Sequence, residues 1–95
     1  ANLAAVISDN TRLIMIESPT NPMQRIITIP DICRVAHSKN ALVEVDSTMM
    51  TPCLQQPIKL GADLIVHSAT KFISGHSDVM AGVVVAKNQE LSEQV

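Results

Sequence analysis

The stretch "LGADLIVHSATKFISGHSDVMAGVVVAK", residues 60–87, decides how this chain is organised. Its first half holds "ADLIVHS" (62–68), an apolar run of strand length, and its second half another, "VMAGVVVA" (79–86). Between them stands Lys71, among small hydroxyl residues and in a segment poor in charge. Surface lysines more commonly sit among other charges on helices. An amine placed directly after a buried strand calls for a chemical reason.

Two further apolar runs lie N-terminal to this stretch. "RLIMIE" (12–17) ends at "SPTNP", where two prolines and an asparagine mark a loop. "ALVEVD" (41–46) reads as the second strand, with Glu44 an anomaly in a strand expected to be covered on both faces. Between these two, "TIPDICRVAHSKN" (28–40) predicts a helix. Pro30 suits its first turn, and Thr28 or Ile29 stands near the cap. Ile29, Ile32, Cys33 and Ala36 recur at three- and four-residue steps and give it one apolar face. His37 and Lys39 fall in the last turn, where cations suit the helix dipole, and Asn40 offers a left-handed stop. The loop "STMMTPCLQQPIKLG" (47–61) has room for one helical turn near Pro57 to Leu60, and Asn88 caps a polar C-terminal helix. Strand, helix and strand joined by short loops predict an α/β fold, its parallel sheet covered on both faces by helices. The helices predicted are too few to cover such a sheet, so the sequence reads as a segment of a larger domain, cut at both ends.

Composition narrows the function classes. At 95 residues the chain is at most one small domain or part of one. One Phe and no Trp or Tyr leave Ile, Val, Leu, Ala and Met to build the core. A formal net charge of −2 with scattered basic residues provides no footprint for nucleic acid. No apolar run approaches the roughly 20 residues that cross a bilayer, and "ANLAAVISDNTR" (1–12) lacks the basic start and apolar middle of a signal peptide. Cys33 and Cys53 form no CxxC and are expected to be small buried hydrophobes. That usage favours a reducing compartment, cytoplasm or plastid stroma.

In open parallel sheets ligands sit at the carboxyl ends of the strands. Here those ends offer Ser18, Thr20 and Asn21, then Asp46, Ser47 and Thr48, then Ser68, Thr70 and Lys71. Asp46 either caps a turn or answers a cation. Lys71 alone reads as an ion-pair or surface residue. Beside Ser68, Thr70 and a helix N-terminus it would adjoin an anion cradle, as an amine able to form a Schiff base with an aldehyde. An aldehyde carrying a phosphate, with an aspartate for a ring nitrogen, describes pyridoxal phosphate. Rival motifs fare worse. "SATK" satisfies S-x-x-K, but no K-T-G follows; His67, His76 and Asp78 lack metal-ligand spacing; no G-x-S-x-G elbow supports a serine triad.

"ESPTNP", "VEVDSTMMTP" and "HSATKFISGHSDVMAG" resemble the central part of the Cys/Met-metabolism family of pyridoxal-phosphate enzymes, and residues 60–87 are most similar to its plant-type cystathionine β-lyases. The resemblance implies the central part of the large domain of a fold-type-I enzyme, a mostly parallel sheet with one antiparallel strand just after the lysine loop. It implies that Lys71 bonds the cofactor and moves the Cα proton. Asp46 would pair with the pyridinium nitrogen, Ser68 and Thr70 would hold the phosphate, and Thr48 would lie against the ring. Asn21 would lie near the cofactor hydroxyl or substrate carboxylate. Gly75 would turn the backbone, with His76 and Asp78 as polar supports. The implied reaction is β-elimination of cystathionine, with γ-elimination or γ-replacement as the alternative and an inert homologue as the non-enzymatic one. The implied assembly is a homotetramer. Two positions depart from the family pattern: Ser47 stands where "VDN" is usual, and Glu44 where an apolar residue is usual. The family's stacking tyrosine and substrate-binding arginine fall outside the segment, so the isolated chain is expected to be inactive.

Overall fold

In the computed structural model, which describes residues 2–95, the four apolar runs form one sheet. Strands β1 (Leu13–Glu17), β2 (Leu42–Asp46), β3 (Leu64–Ser68) and β4 (Gly82–Ala86) lie side by side in that order. β1, β2 and β3 run parallel, and β4 returns antiparallel to β3. The link 69–81 consists of turns and extended chain without a helix to carry a parallel crossover, so the chain doubles back on itself. β4 starts three residues later than the apolar run predicts, because Ala81 is held by Thr70 and Met80 is almost fully exposed.

Helix α2 (Ile29–His37) forms where the apolar spacing requires it, behind an extended Thr28 cap and with Pro30 in its first turn. Ile29, Cys33 and Ala36 are buried against Ala41, Val43, Val45 and Ala62. Val43 and Val45 lose all contact with solvent, worth about 1.5–3 kcal/mol for each side chain. Asn40 takes a left-handed φ of 56°, the stop expected of it. Lys39 falls beyond the helix and pairs instead with Asp9 at 2.8 Å. Two one-turn helices, α1 (Leu3–Val6) and α3 (Thr51–Leu54), were not legible from periodicity, being too short to show any. Pro57–Leu60 forms a 3-10 turn, and Asn88 caps α4 (Gln89–Gln94) by accepting the Leu91 N–H at 3.0 Å.

The two-residue alternation of the strands sorts the sheet into two faces. Ile14, Ile16, Val43 and Val45 face α2. Met15, Glu44 and Leu64 lie in register on the other face, where α4 flanks Val84 and Ala86. Glu44 therefore does not interrupt the core beneath α2. It is half-buried on the opposite face, beside a largely exposed Met15. The expectation for the cysteines holds for one only: Cys33 is buried and its thiol is pushed up by burial and by the charge of Asp63, whereas Cys53 is exposed because α3 lies outside the core.

At the amino-terminal edge of β3 the chain buries a charge. Asp63 is fully enclosed and accepts hydrogen bonds from the Val43 N–H at 2.8 Å, from His37 Nε2 at 2.8 Å and from Lys87 Nζ. Burial alone would raise its pKa, but the Lys87, His37 and Val43 donors outweigh that and hold it below the usual carboxylate value. One side chain thus ties together the end of α2, the start of β2 and the residue after β4.

Candidate functional site

The opposite, carboxyl-terminal edge of the sheet is open. The strands end there in loops rich in Ser, Thr, Pro and Gly, and between these loops lies a cleft of about 840 Å³, within the roughly 300–1,000 Å³ of small-molecule sites. Its lining includes Asn21, Asp46, Thr48, Ser68, Thr70 and Lys71, so the side chains that the sequence nominated from three strand ends converge on one space.

Each arrives by local chemistry. Asp46 ends β2 half-buried, and its Oδ1 accepts the Thr48 N–H at 2.9 Å, a side-chain turn of the kind aspartate favours. The capping reading is therefore correct for one oxygen; the other has no partner among the described residues. Thr48 Oγ1 accepts the Ser68 N–H at 2.8 Å and so joins the end of β3 to the loop after β2. Thr70 is more committed than expected: its hydroxyl both donates to Ala81 O at 3.2 Å and accepts the Ala81 N–H at 2.9 Å, closing the lysine loop. Asn21 is held through its backbone, whose N–H donates to Glu17 Oε2 at 3.0 Å.

Lys71 is exposed on the cleft and forms no ion pair among the described residues. The helix N-terminus expected beside it is absent. Lys71 N–H donates to Ser68 O at 3.1 Å, Ser74 N–H to Ala69 O at 2.9 Å, and Gly75 N–H to Lys71 O at 2.9 Å, a succession of turns. Gly75 at φ 71° and Ser77 at φ 58° then take the backbone into the left-handed region, which stops any helix from propagating. His76 supports that bend by donating from Nδ1 to Ser74 O at 2.8 Å, while Asp78 lines the cleft itself. His67 is buried, with Nδ1 unpartnered among the described residues, whereas His76 is exposed, so the two do not combine. Among the described residues no three His, Cys, Asp or Glu side chains gather as a metal site.

Two residues at this edge escaped sequence reasoning. Glu17 lines the cleft as the register neighbour of Asp46. It was overlooked because only residues after the strand ends were collected, although period-2 alignment of the two strands reveals it. Gln55, from the loop after α3, donates from Nε2 to Ser18 O at 2.9 Å and to Ser47 Oγ at 3.1 Å behind the cleft. No local pattern announces it, since its partners are 37 and 8 residues away.

A mostly parallel sheet whose carboxyl edge holds an unpaired amine, a half-satisfied carboxylate and hydroxyls defines an α/β protein with a site for a small anionic group. The chain belongs to the Cys/Met metabolism PLP-dependent enzyme family, whose sequence model matches residues 1–95. It is 53% identical to the chloroplastic cystathionine beta-lyase of Arabidopsis thaliana over 98% of its length, and 46% identical to the cystathionine gamma-synthase of Escherichia coli over 94%. It superimposes on a crystal structure of cystathionine gamma-lyase from Lactobacillus plantarum complexed with L-serine, with a TM-score of 0.93 and 40% identity over 96% of the chain. The chain spans 20%, 23% and 24% of those proteins respectively, about a fifth to a quarter of each. Among the described residues no helix is long and apolar enough to cross a membrane.

The residues present fit pyridoxal phosphate, a group with an aldehyde, a basic ring nitrogen and a phosphate. Lys71 offers an unpaired amine, Asp46 an unused carboxylate oxygen, and Ser68 a hydroxyl on the same cleft. Thr70 offers its hydroxyl only if the bond to Ala81 is given up or shared.

Proposed function

We propose that residues 1–95 are the lysine-bearing central part of the large domain of a carbon–sulfur lyase, acting in the full-length protein on cystathionine. The observation that carries this reading is the convergence of Lys71 and Asp46 on one cleft at the sheet's carboxyl edge. Lys71 would bond the cofactor aldehyde, Asp46 would hold the ring nitrogen, Ser68 and Thr70 would take the phosphate, Thr48 would lie under the ring, and Asn21 would face the cofactor hydroxyl or the substrate carboxylate. When bound, the cofactor supplies an electron sink for charge developing at the substrate's Cα.

The chain's own residues do the rest. Lys71 Nζ accepts the Cα proton, a transfer typically worth about 10²–10⁴-fold in rate. It can do so because no carboxylate among the described residues engages it. Asp46 keeps its negative charge directed at the ring nitrogen because its turn to Thr48 fixes the carboxyl group. Thr48, bonded to the Ser68 N–H, keeps the ends of β2 and β3 at a fixed spacing.

We assign β-elimination rather than γ-elimination or γ-replacement. Support comes from the identity of 53% to a cystathionine beta-lyase against 46% to a gamma-synthase. The reading extends to a homotetramer in a reducing compartment such as the plastid stroma. Exposed Phe72, Ile73, Val79 and Met80 beside the cleft support an assembly that covers them. Incubating the full-length protein with cystathionine tests the reaction. Pyruvate with homocysteine is expected; 2-oxobutyrate with cysteine would move the assignment to γ-elimination, and no turnover would favour an inert homologue.

A further inference from the structure

Gln55 lies outside the cleft lining yet touches the two loops that supply Asn21 and Asp46. Its amide orientation follows from its partners: Ser18 O can only accept, so the NH₂ end must face it, and the second N–H goes to Ser47 Oγ. Both partners are almost completely buried, Ser18 at 2% and Ser47 at 1% exposure, so the bonds are shielded from competing water. Each partner is in turn a junction. Ser18 directly follows Glu17, the residue holding the Asn21 N–H, and its hydroxyl accepts the Ile27 N–H at 3.0 Å. Ser47 sits between Asp46 and Thr48, donates its N–H to Val66 O at 3.0 Å and accepts the Thr51 N–H at 2.9 Å.

We propose that Gln55 is a positioning residue, whose side-chain amide clamps the loop after β1 to the loop after β2 and thereby sets Asn21 and Asp46 relative to one another across the cleft. The hydroxyl of Ser47 is short, so the Gln55 arm spans the gap between the two loops. The cofactor part of this inference rests on the function proposed above; the clamp itself does not.

The test uses the full-length protein with Gln55→Leu, Ser47→Ala and the double variant. Each single change should weaken pyridoxal phosphate binding to the apoprotein by about 2–10-fold, the worth of one neutral hydrogen bond. The double variant should bind no worse than the poorer single one, because both remove the same contact. Singles that leave cofactor affinity unchanged, or effects that multiply, overturn the proposal. Amide hydrogen exchange on the apoprotein supplies a readout independent of the cofactor. Gln55→Leu should speed exchange at Ile27 and at Thr51 while leaving Asp63 and Lys87 protected. Exchange accelerated across the whole sheet means a merely structural role and overturns the clamp, as does exchange unchanged in the 18–27 loop. If wild-type protein binds no cofactor, the proposed function fails, and exchange alone decides the clamp. Should Gln55→Leu not fold, Gln55→Asn, one methylene shorter, carries the same expectations.

Discussion

The two edges of this sheet handle charge in opposite ways. At the amino-terminal edge of β3, Asp63 is buried and all its donors are in place: Val43 N–H, His37 and Lys87. At the carboxyl edge, Asp46 keeps one oxygen without a partner among the described residues, and Lys71 forms no ion pair. The first arrangement lowers the energy of the folded chain and is chemically inert. The second leaves polar groups unsatisfied in a cleft, which stability alone does not favour but a ligand site requires. The difference teaches which charged residues to suspect of function: those a fold has declined to pair.

Mutations should separate the two edges. The largest effect is expected from Lys71. Lys71→Ala in the full-length protein should abolish covalent cofactor attachment and lower turnover by about 10²–10⁴-fold or more. Its melting temperature should stay close to wild type, since an exposed, unpaired side chain is lost. Asp63→Ala should do the reverse. Leaving Lys87 and His37 without their buried partner should cost about 3–5 kcal/mol in chemical denaturation, while protein that remains folded keeps its cofactor spectrum.

The pH dependence belongs to the closed edge. Asp63 has its folded pKa lowered, so its contribution is fully present above the unfolded carboxylate value of about 3.9. It is lost as pH falls through the lower folded value. Acid titration of stability should therefore be shallower below about pH 4 in Asp63→Asn than in wild type. Equal slopes would mean that the three donors do not govern it. A smaller effect is expected at Glu44. Replacing it by Leu, between Met15 and Leu64 on the face away from α2, should change stability by no more than about 1 kcal/mol. A loss of several kcal/mol would show that Glu44 has a partner the described residues do not contain.

Much of this contrast was legible in the sequence, and the illegible parts share a cause. Strands and α2 were readable because apolar spacing is a local signal, and the caps Thr28, Asn40 and Asn88 because their chemistry is local too. The cleft roster was readable because parallel strands place their carboxyl ends together. Asp63 and Gln55 were not readable. Their partners lie 20 to 37 residues away, and only the packing of α2, β2 and β4 or of three loops brings them into contact. Thr70 was half-read: its position on the cleft is correct, but its hydroxyl is engaged with Ala81. That engagement depends on β4 turning back antiparallel, an expectation drawn from the family resemblance.

The most direct test of the central claim is to load the full-length protein with pyridoxal phosphate, reduce it with borohydride and map the labelled peptide. The account predicts a single pyridoxyl label on Lys71, absent in Lys71→Ala. A label on Lys39, Lys59 or Lys87, or an unchanged label after Lys71→Ala, would contradict it.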